Sequence, residues 1–492
     1  MNNLFFSLKE IENITGGKWF NYNEEIKINN FIHIISQVKK EDIFIVHYSN
    51  WYNKDQDNEY DIPKAIKQGA SALMVQEETN IKNLTIPILV VEDTYYALRN
   101  LALFSSSKSN AKRVLITGSY GKTGFKIHLY NLISKKINTY VRLNSSNRVS
   151  STYGNLASLK KDTKVLLIEI PISSKDKTLR RAKYVKPDIC VITSIGHEHI
   201  DIHETIEKIV ERKCSIAKAL SKNGKIIIPA DSKYYDLIRN ELNQYKNIDI
   251  LTFGTHSSCN AQLLSAVYED YKYKVKALIE GTYIEYIVPF VDEYAALTSI
   301  SELLCVKLLG LDIFECANEY KNLTNFKSSG KVYKLQYKNK LFVLLDYSKR
   351  GGVEGYQSFF KTLQNIRPTE NGRKILFTSE FVDIEDGEER FIDNNEFKNL
   401  INKCSLEKIY SVENFKKVHF NLIDDKTKWL KHYDSLKDLL KENFLDTIQN
   451  GDIICIKSIF ENPHAKKLLI IPMLLVFRCY IIFKCYIKYL QL

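Results

Sequence analysis

A chain of 492 residues with 45% hydrophobic side chains is long enough for about two to four globular domains with cores of their own. The net charge of +12 comes from lysines scattered along the whole chain, without an arginine-rich patch, zinc-finger spacing or groove-reading basic helix, which argues against a nucleic-acid partner. The nine cysteines form no CxxC pair, and the N-terminus lacks the basic region and apolar core of a signal peptide, so we expect free thiols in a reducing, cytoplasmic compartment.

The first part of the chain alternates short helical and strand patterns. Apolar runs at 42–46, 72–75 and 87–91 predict strands, and an apolar repeat over 96–105 predicts a helix. We therefore expect residues 1–110 to form a small α/β domain.

A glycine-rich turn, TGSYGKTGFK, follows at 117–126. The β-branched run before it predicts a buried strand, and the apolar spacing after it predicts a helix. Backbone N–H groups at such a turn can bind phosphate, a lysine there can reach the β- and γ-phosphates, and a threonine can hold Mg²⁺. The sequence predicts a nucleotide loop rather than an ordinary turn with an exposed lysine, and its binding residues are Gly118, Ser119, Tyr120, Gly121, Lys122 and Thr123.

The next stretch, 111–325, continues to alternate strands and helices, which predicts a parallel sheet with ligands at the carboxyl ends of its strands. Glu169 closes one apolar strand. Three histidines and two acids occupy 197–203, but they do not match HExxH or a cysteine-containing zinc site. Lys213 lies in an amphipathic helical pattern and, taken alone, would be read as a surface lysine.

Residues 326–460 predict a third α/β domain, in which Asp346 ends the strand 341–347. The segment 461–492 breaks with the composition of the rest. Its apolar run from 468 is interrupted by Arg478 near the centre, where a charge is costly in a membrane. An out-of-register C-terminus is the favoured interpretation and a weak tail anchor the alternative, so membrane association stays open.

The short loop Gly-x-x-Gly-Lys-Thr, the strand-end glutamate and the phrase TSIGHEHID at 193–201 resemble, in this order, the Mur ligase family. The resemblance covers about 1–460. The chain is similar to the members that add the third residue or the terminal dipeptide to the peptidoglycan stem. It implies an α/β protein of three domains around a central P-loop parallel-sheet ATPase. These are an N-terminal substrate-binding domain (1–110), the ATP-binding domain (111–325) and a Rossmann-like ligase domain (326–460), followed by the atypical tail.

The resemblance also implies roles for individual residues. Lys122, His199 and Lys213 would be catalytic, the last as a carbamate formed with CO₂. Lys331, where the family has an arginine, and Asp346 would contact the nucleotide. The cofactors would be ATP and Mg²⁺, and the metal ligands would be Thr123, Glu169, His199 and Lys213.

The activity implied is an ATP-dependent ligase joining a carboxylate acceptor to an amino acid or dipeptide through an acyl phosphate, in peptidoglycan or related polymer biosynthesis. We expect a cytoplasmic monomer. Two departures matter: 34–36 reads IIS where the family has Asp-Ser-Arg near the uridine, and 293–299 lacks the asparagines near the adenine. They suggest an acceptor other than a UDP-sugar, or a non-catalytic relative. His199 and Lys213 argue against a third alternative, a P-loop kinase or regulatory NTPase.

Overall fold

A computed structural model describes most of the chain up to residue 457. The described residues are 3–22, 24–48, 58–77, 79, 84–143, 148–171, 175–196, 205–324, 330–348, 353–369, 371–379, 382–385, 388–391, 394–412, 419–434, 436–439 and 444–457. His199 and the tail therefore lie outside the described residues, and seven cysteines within them are free thiols. Across these ranges, no helix combines the length and the apolar character needed to span a membrane.

The first sheet has the strand order β1-β5-β4-β3-β2, with β1 antiparallel to β5 and the other pairs parallel. Ser7 begins its first helix with a capping box, in which its hydroxyl accepts from the N–H of Glu10 and its own N–H donates to the Glu10 carboxylate. The elements are α1 (Leu8–Thr15), β1 (Lys18–Phe20), β2 (Phe31–Ile32), β3 (Ile43–Ile45), α2 (Ile62–Lys67), β4 (Ala72–Gln76), β5 (Ile88–Val91) and α3 (Thr94–Lys108).

The central sheet has the order β14-β13-β12-β11-β10-β9-β6-β8-β7, parallel from β7 to β12 and antiparallel beyond. The elements are β6 (Lys112–Thr117), α4 (Lys122–Ile133), β7 (Thr139–Val141), α5 (Val149–Ala157), β8 (Val165–Glu169), α6 (Lys175–Val185), β9 (Ile189–Ile192), α7 (Ile206–Cys214), β10 (Lys225–Pro229), α8 (Tyr235–Asn243), β11 (Asp249–Gly254), β12 (Ala261–Glu269), β13 (Lys272–Ile279), β14 (Thr282–Val288), α9 (Glu293–Leu308) and α10 (Ile313–Ala317). Helices cover both faces of its parallel part, as the alternation of patterns predicts.

The third sheet has the order β15-β16-β22-β17-β20-β21, with only the first pair antiparallel. The elements are β15 (Lys331–Tyr337), β16 (Lys340–Tyr347), α11 (Val353–Asn365), β17 (Lys374–Thr378), the hairpin β18 (Val382–Glu385) and β19 (Glu388–Phe391), α12 (Asn394–Asn402), β20 (Lys408–Val412), β21 (Trp429–Tyr433), α13 (Leu436–Leu439) and β22 (Ile453–Lys457).

The hydrophobic cores do not correspond one to one to the three large sheets. A single continuous core joins the first sheet to one face of the central sheet, and it contains Phe6 and Phe31 as well as Leu115 and Ile168. The third sheet has two further cores, one of which also contains Val291 from the segment before α9. The α/β class predicted from the sequence is confirmed, whereas the division at residues 110 and 325 stays a prediction.

Candidate active site

The glycine-rich turn connects β6 to α4 at the carboxyl edge of the central sheet. Gly118 and Gly121 have φ angles of 150° and 84°, which side chains with a Cβ rarely adopt. A Cβ at Gly118 would lie 2.0 Å from the Thr193 hydroxyl, and one at Gly121 would lie 2.9 Å from the Tyr294 ring. Both glycines are therefore required by the close approach of the turn to its neighbours.

The residues that follow β9 fix this loop by hydrogen bonds. The Ser119 N–H donates to the Ser194 carbonyl (3.0 Å), and the Tyr120 N–H donates to the Ser194 hydroxyl (2.7 Å). The Thr193 hydroxyl donates to the Tyr120 carbonyl (2.6 Å). The loop is thus fixed to Thr193 and Ser194, which directly follow β9.

Lys122 is the first residue of α4, and Gly121 is the residue that caps this helix. The Lys122 ammonium donates to the carbonyls of Gly118 (2.5 Å) and Ser119 (3.2 Å). The amine therefore lies over its own loop, at the N-terminal end of the helix dipole. This is a position from which it can contact a bound phosphate.

Thr123, the next residue of α4, and Lys126, one turn beyond Lys122, both contact Glu169 at the end of β8. The Thr123 hydroxyl donates to Glu169 Oε1 (3.2 Å), and Lys126 Nζ lies 3.5 Å from Oε2. Oε2 is buried and has no hydrogen-bond partner. Burial lowers the pKa of Lys126, although Glu169 acts in the opposite direction.

A hydroxyl beside a buried carboxylate, one oxygen of which is paired with Lys126 at 3.5 Å, offers the hard oxygen ligands that Mg²⁺ prefers. Within the described ranges, no group of three or more His, Cys, Asp or Glu is placed to hold a metal. The predicted set of ligands therefore depends on Thr123 and Glu169, which the structure brings together, with Lys213 and the undescribed His199.

Lys213, near the end of α7, is completely buried. The interpretation as a surface lysine is therefore wrong. A buried ammonium is costly in the charged form, so burial is compatible with a modified or paired amine. It supports the prediction of a carbamate without testing it.

Lys331 and Asp346 are paired across β15 and β16, at the carboxyl end of β16. The Gly330 N–H donates to the Asp346 carbonyl (2.8 Å), and the Asp346 carboxylate accepts from the Ser348 hydroxyl (2.6 Å). The two residues predicted to contact nucleotide from the third domain thus lie together. The lysine keeps the positive charge of an arginine but lacks its bidentate fork.

Lys126 was not among the predicted site residues. The sequence contains a signal for it, because Lys126 follows Lys122 and Thr123 by four and three residues and such positions share one face of a helix. What the helical spacing does not show is that Glu169, from another strand, lies opposite.

Replacing Lys126 by methionine should leave the Glu169 carboxylate buried without its cation. We expect the free energy of unfolding in Mg²⁺-free buffer to fall by about 3–5 kcal/mol, the usual cost of breaking a buried ion pair from one side. Millimolar Mg²⁺ should restore part of this loss, because the metal ion then neutralises Glu169. Urea denaturation with and without Mg²⁺ measures both effects.

The matched control is Lys126→Met combined with Glu169→Gln, which removes both charges. This double variant should be more stable than Lys126→Met alone and should not respond to Mg²⁺. An equal response to Mg²⁺ in all variants would contradict the assignment of Glu169 as a metal ligand.

Comparison with known proteins agrees with this geometry. Residues 116–296 match the Mur ligase middle domain family. The chain is 26% identical to the UDP-N-acetylmuramoyl-tripeptide–D-alanyl-D-alanine ligase of Rickettsia prowazekii, over 85% of this chain and 90% of that protein. It is 24% identical to the enzyme of the same name from Buchnera aphidicola (subsp. Acyrthosiphon pisum), over 82% and 85%.

Solved structures show the same fold. A MurF structure from Acinetobacter baumannii matches with a TM-score of 0.72 and 18% identity, over 94% of this chain and 98% of that one. MurF from Thermotoga maritima in complex with ADP matches with a TM-score of 0.69 and 20% identity, over 93% and 100%. Together with the loop, the Thr123–Glu169 pair and the three successive sheets, these similarities support a relationship of the chain to the Mur ligase family, whose middle-domain model matches residues 116–296.

Proposed function

We propose that the protein is an ATP-dependent ligase that forms an amide bond between a carboxylate acceptor and an amino acid or dipeptide. The observation that carries this proposal is the position of Lys122 over a glycine loop, next to the Thr123–Glu169 pair, at the carboxyl edge of a parallel sheet. The relatives named above are ligases of this type and support the assignment.

In this proposal the Lys122 ammonium and the loop N–H groups neutralise charge on the transferred phosphoryl group. Transfer to the acceptor carboxylate gives an acyl phosphate, and the amine of the second substrate displaces phosphate from it. Bound Mg²⁺ would supply further charge neutralisation, held by Thr123 and Glu169 with His199 and carbamylated Lys213. Lys331 and Asp346 would contact the nucleotide from the third domain.

The named relatives act on a UDP-N-acetylmuramoyl tripeptide and D-alanyl-D-alanine, and we propose a cell-wall or related polymer precursor for this chain as well. The acceptor is proposed not to be a UDP-sugar. Ile34 and Ile35 lie half-buried at the start of a 3₁₀ turn after β2, and aliphatic side chains cannot donate hydrogen bonds to a uracil. We place the enzyme in the cytoplasm as a monomer.

We therefore expect UDP-N-acetylmuramoyl peptides to bind more weakly than about 100 μM, since the polar uridine contacts are missing and unpaired polar groups are costly. Isothermal titration calorimetry measures this, with ADP titrated into the same preparation to show that the protein is folded. Replacing 34–36 by Asp-Ser-Arg should tighten binding. Micromolar affinity of the unmodified chain would contradict the prediction.

The proposal as a whole is tested by measuring ADP release with a panel of amino acids, dipeptides and carboxylate acceptors. ADP release that requires both substrates supports the ligase. A chain that binds ADP but releases none with any pair is instead a non-catalytic nucleotide-binding relative. That alternative is favoured by the missing asparagines at the start of α9, where Tyr294 donates to the Thr193 carbonyl (2.6 Å).

A further inference from the structure

The side chain of Tyr120 leaves the phosphate loop and extends to the third domain. Its hydroxyl donates to Asp292 Oδ2 (2.9 Å), just before α9, and lies 3.3 Å from the Ser358 hydroxyl on α11. Its ring packs so close to α11 that a Cβ at Gly355 would be 3.7 Å from the Tyr120 ring edge. One side chain of the loop therefore contacts both the central and the third domain.

The backbone of the same residue belongs to the phosphate loop. Its N–H donates to the Ser194 hydroxyl (2.7 Å) and its carbonyl accepts from the Thr193 hydroxyl (2.6 Å). A displacement of α11 would thus be transmitted to the loop backbone through a single residue. Conversely, a phosphate that reorients the loop would act on α11.

Neighbouring residues also contact the third domain, so the Tyr120 contact is part of a larger interface. Val291, next to Asp292, is buried in the core of the third sheet, and Glu293 pairs with Lys361 of α11 (2.9 Å). Burial raises the pKa of both Tyr120 and Asp292, so the phenol stays protonated at neutral pH. A buried phenol and a buried carboxyl group are costly to leave without partners, so their hydrogen bond favours this packing of the third domain.

We infer that Tyr120 is a positioning residue that couples nucleotide binding at the phosphate loop to the packing of the third domain against α9. The inference rests on the proposed function, in that the loop binds a nucleotide. Because coupling between two sites is reciprocal, contacts of the third domain must affect nucleotide affinity, and the nucleotide must affect the third domain. When the third domain is packed against α9, it holds the loop in its binding conformation and strengthens nucleotide binding.

Calorimetric titration of the full chain with ADP and Mg²⁺ tests this. Ser358→Ala removes a hydroxyl outside the nucleotide loop, and Tyr120→Phe removes the phenol. Each should raise the Kd about threefold to tenfold, the effect of one hydrogen bond. The double variant should bind no more weakly than Tyr120→Phe alone, since both changes break one link. Tyr130→Phe on α4 and Gln357→Ala on α11 are matched controls that should leave the Kd unchanged.

An unchanged Kd for Ser358→Ala, or fully additive effects in the double variant, would overturn the coupling. If the unmodified chain binds no ADP, the nucleotide site itself is wrong, and that failure is seen separately. In that case, amide hydrogen exchange of α11 in the ligand-free protein tests whether Tyr120 stabilises the packing of α11. Exchange should be faster in Tyr120→Phe and unchanged in Tyr130→Phe, and equal exchange in both would reject the inference.

Discussion

Replacement of Lys122 by alanine is expected to reduce substrate-dependent ADP release by at least about 10²–10³-fold, the range seen when one preorganised charge-stabilising group is removed from an active site. The ammonium is held over the loop by two backbone carbonyls, so it needs little reorganisation when phosphate arrives. A coupled assay for ADP at saturating substrates measures the loss.

The control for this variant is Lys135→Ala, which removes a lysine with 64% of its side chain exposed, just beyond the end of α4. It should retain the activity of the unmodified enzyme. Full turnover by Lys122→Ala would show that the glycine loop is not the phosphate site, and the ligase proposal would then fail at its first step.

Lys213→Ala is expected to abolish ligation, with partial recovery when a short carboxylic acid such as acetate or formate is added. Lys213 is completely inaccessible, and a cationic amine beside Mg²⁺ would be repelled. Its carbamate is instead a hard oxygen ligand, and a small carboxylate can fill the space that alanine leaves. The measurement is ADP release as a function of acid concentration.

Lys213→Arg is the matched control, since it keeps a cation in the pocket and cannot form a carbamate. It should be inactive and should not recover. A structure with an ATP analogue and Mg²⁺ that shows an unmodified Lys213 away from the metal would contradict this assignment and favour the non-catalytic relative. Equal recovery of both variants by acetate would mean that the acid acts elsewhere.

The parallel strands are the part of the fold that the sequence predicts best. The predicted runs at 72–75 and 87–91 coincide within one residue with β4 and β5, because a strand buried on both faces is apolar throughout. The meander β12–β14 was not predicted. Its burial alternates along β13 and β14, and the polar outer face, with Lys274, Lys276 and Glu285, interrupts the apolar runs on which the prediction depended.

The candidate site was predictable where its chemistry is local in sequence. The loop at 117–126 contains its own glycines, lysine and threonine, and Glu169 is marked by its position at a strand end. The contacts between distant segments were not predictable. Lys126 pairs with Glu169 across 43 positions (169 − 126), and Tyr120 contacts Asp292 and Ser358 at separations of 172 and 238 residues. Helical and strand periodicity contains no information about such partners.

The continuous core between the first and central sheets has a consequence for how the chain unfolds. Apolar side chains of both sheets share one interior, so neither sheet could open without exposing apolar side chains of the other to water. The two sheets should therefore behave as one cooperative unit, while the third sheet, whose buried core residues in the described ranges include only Val291 from before β15, should open at a lower free-energy cost. In the described part of the chain, the three large sheets should thus form two units of stability, with the first and central sheets together in the larger one.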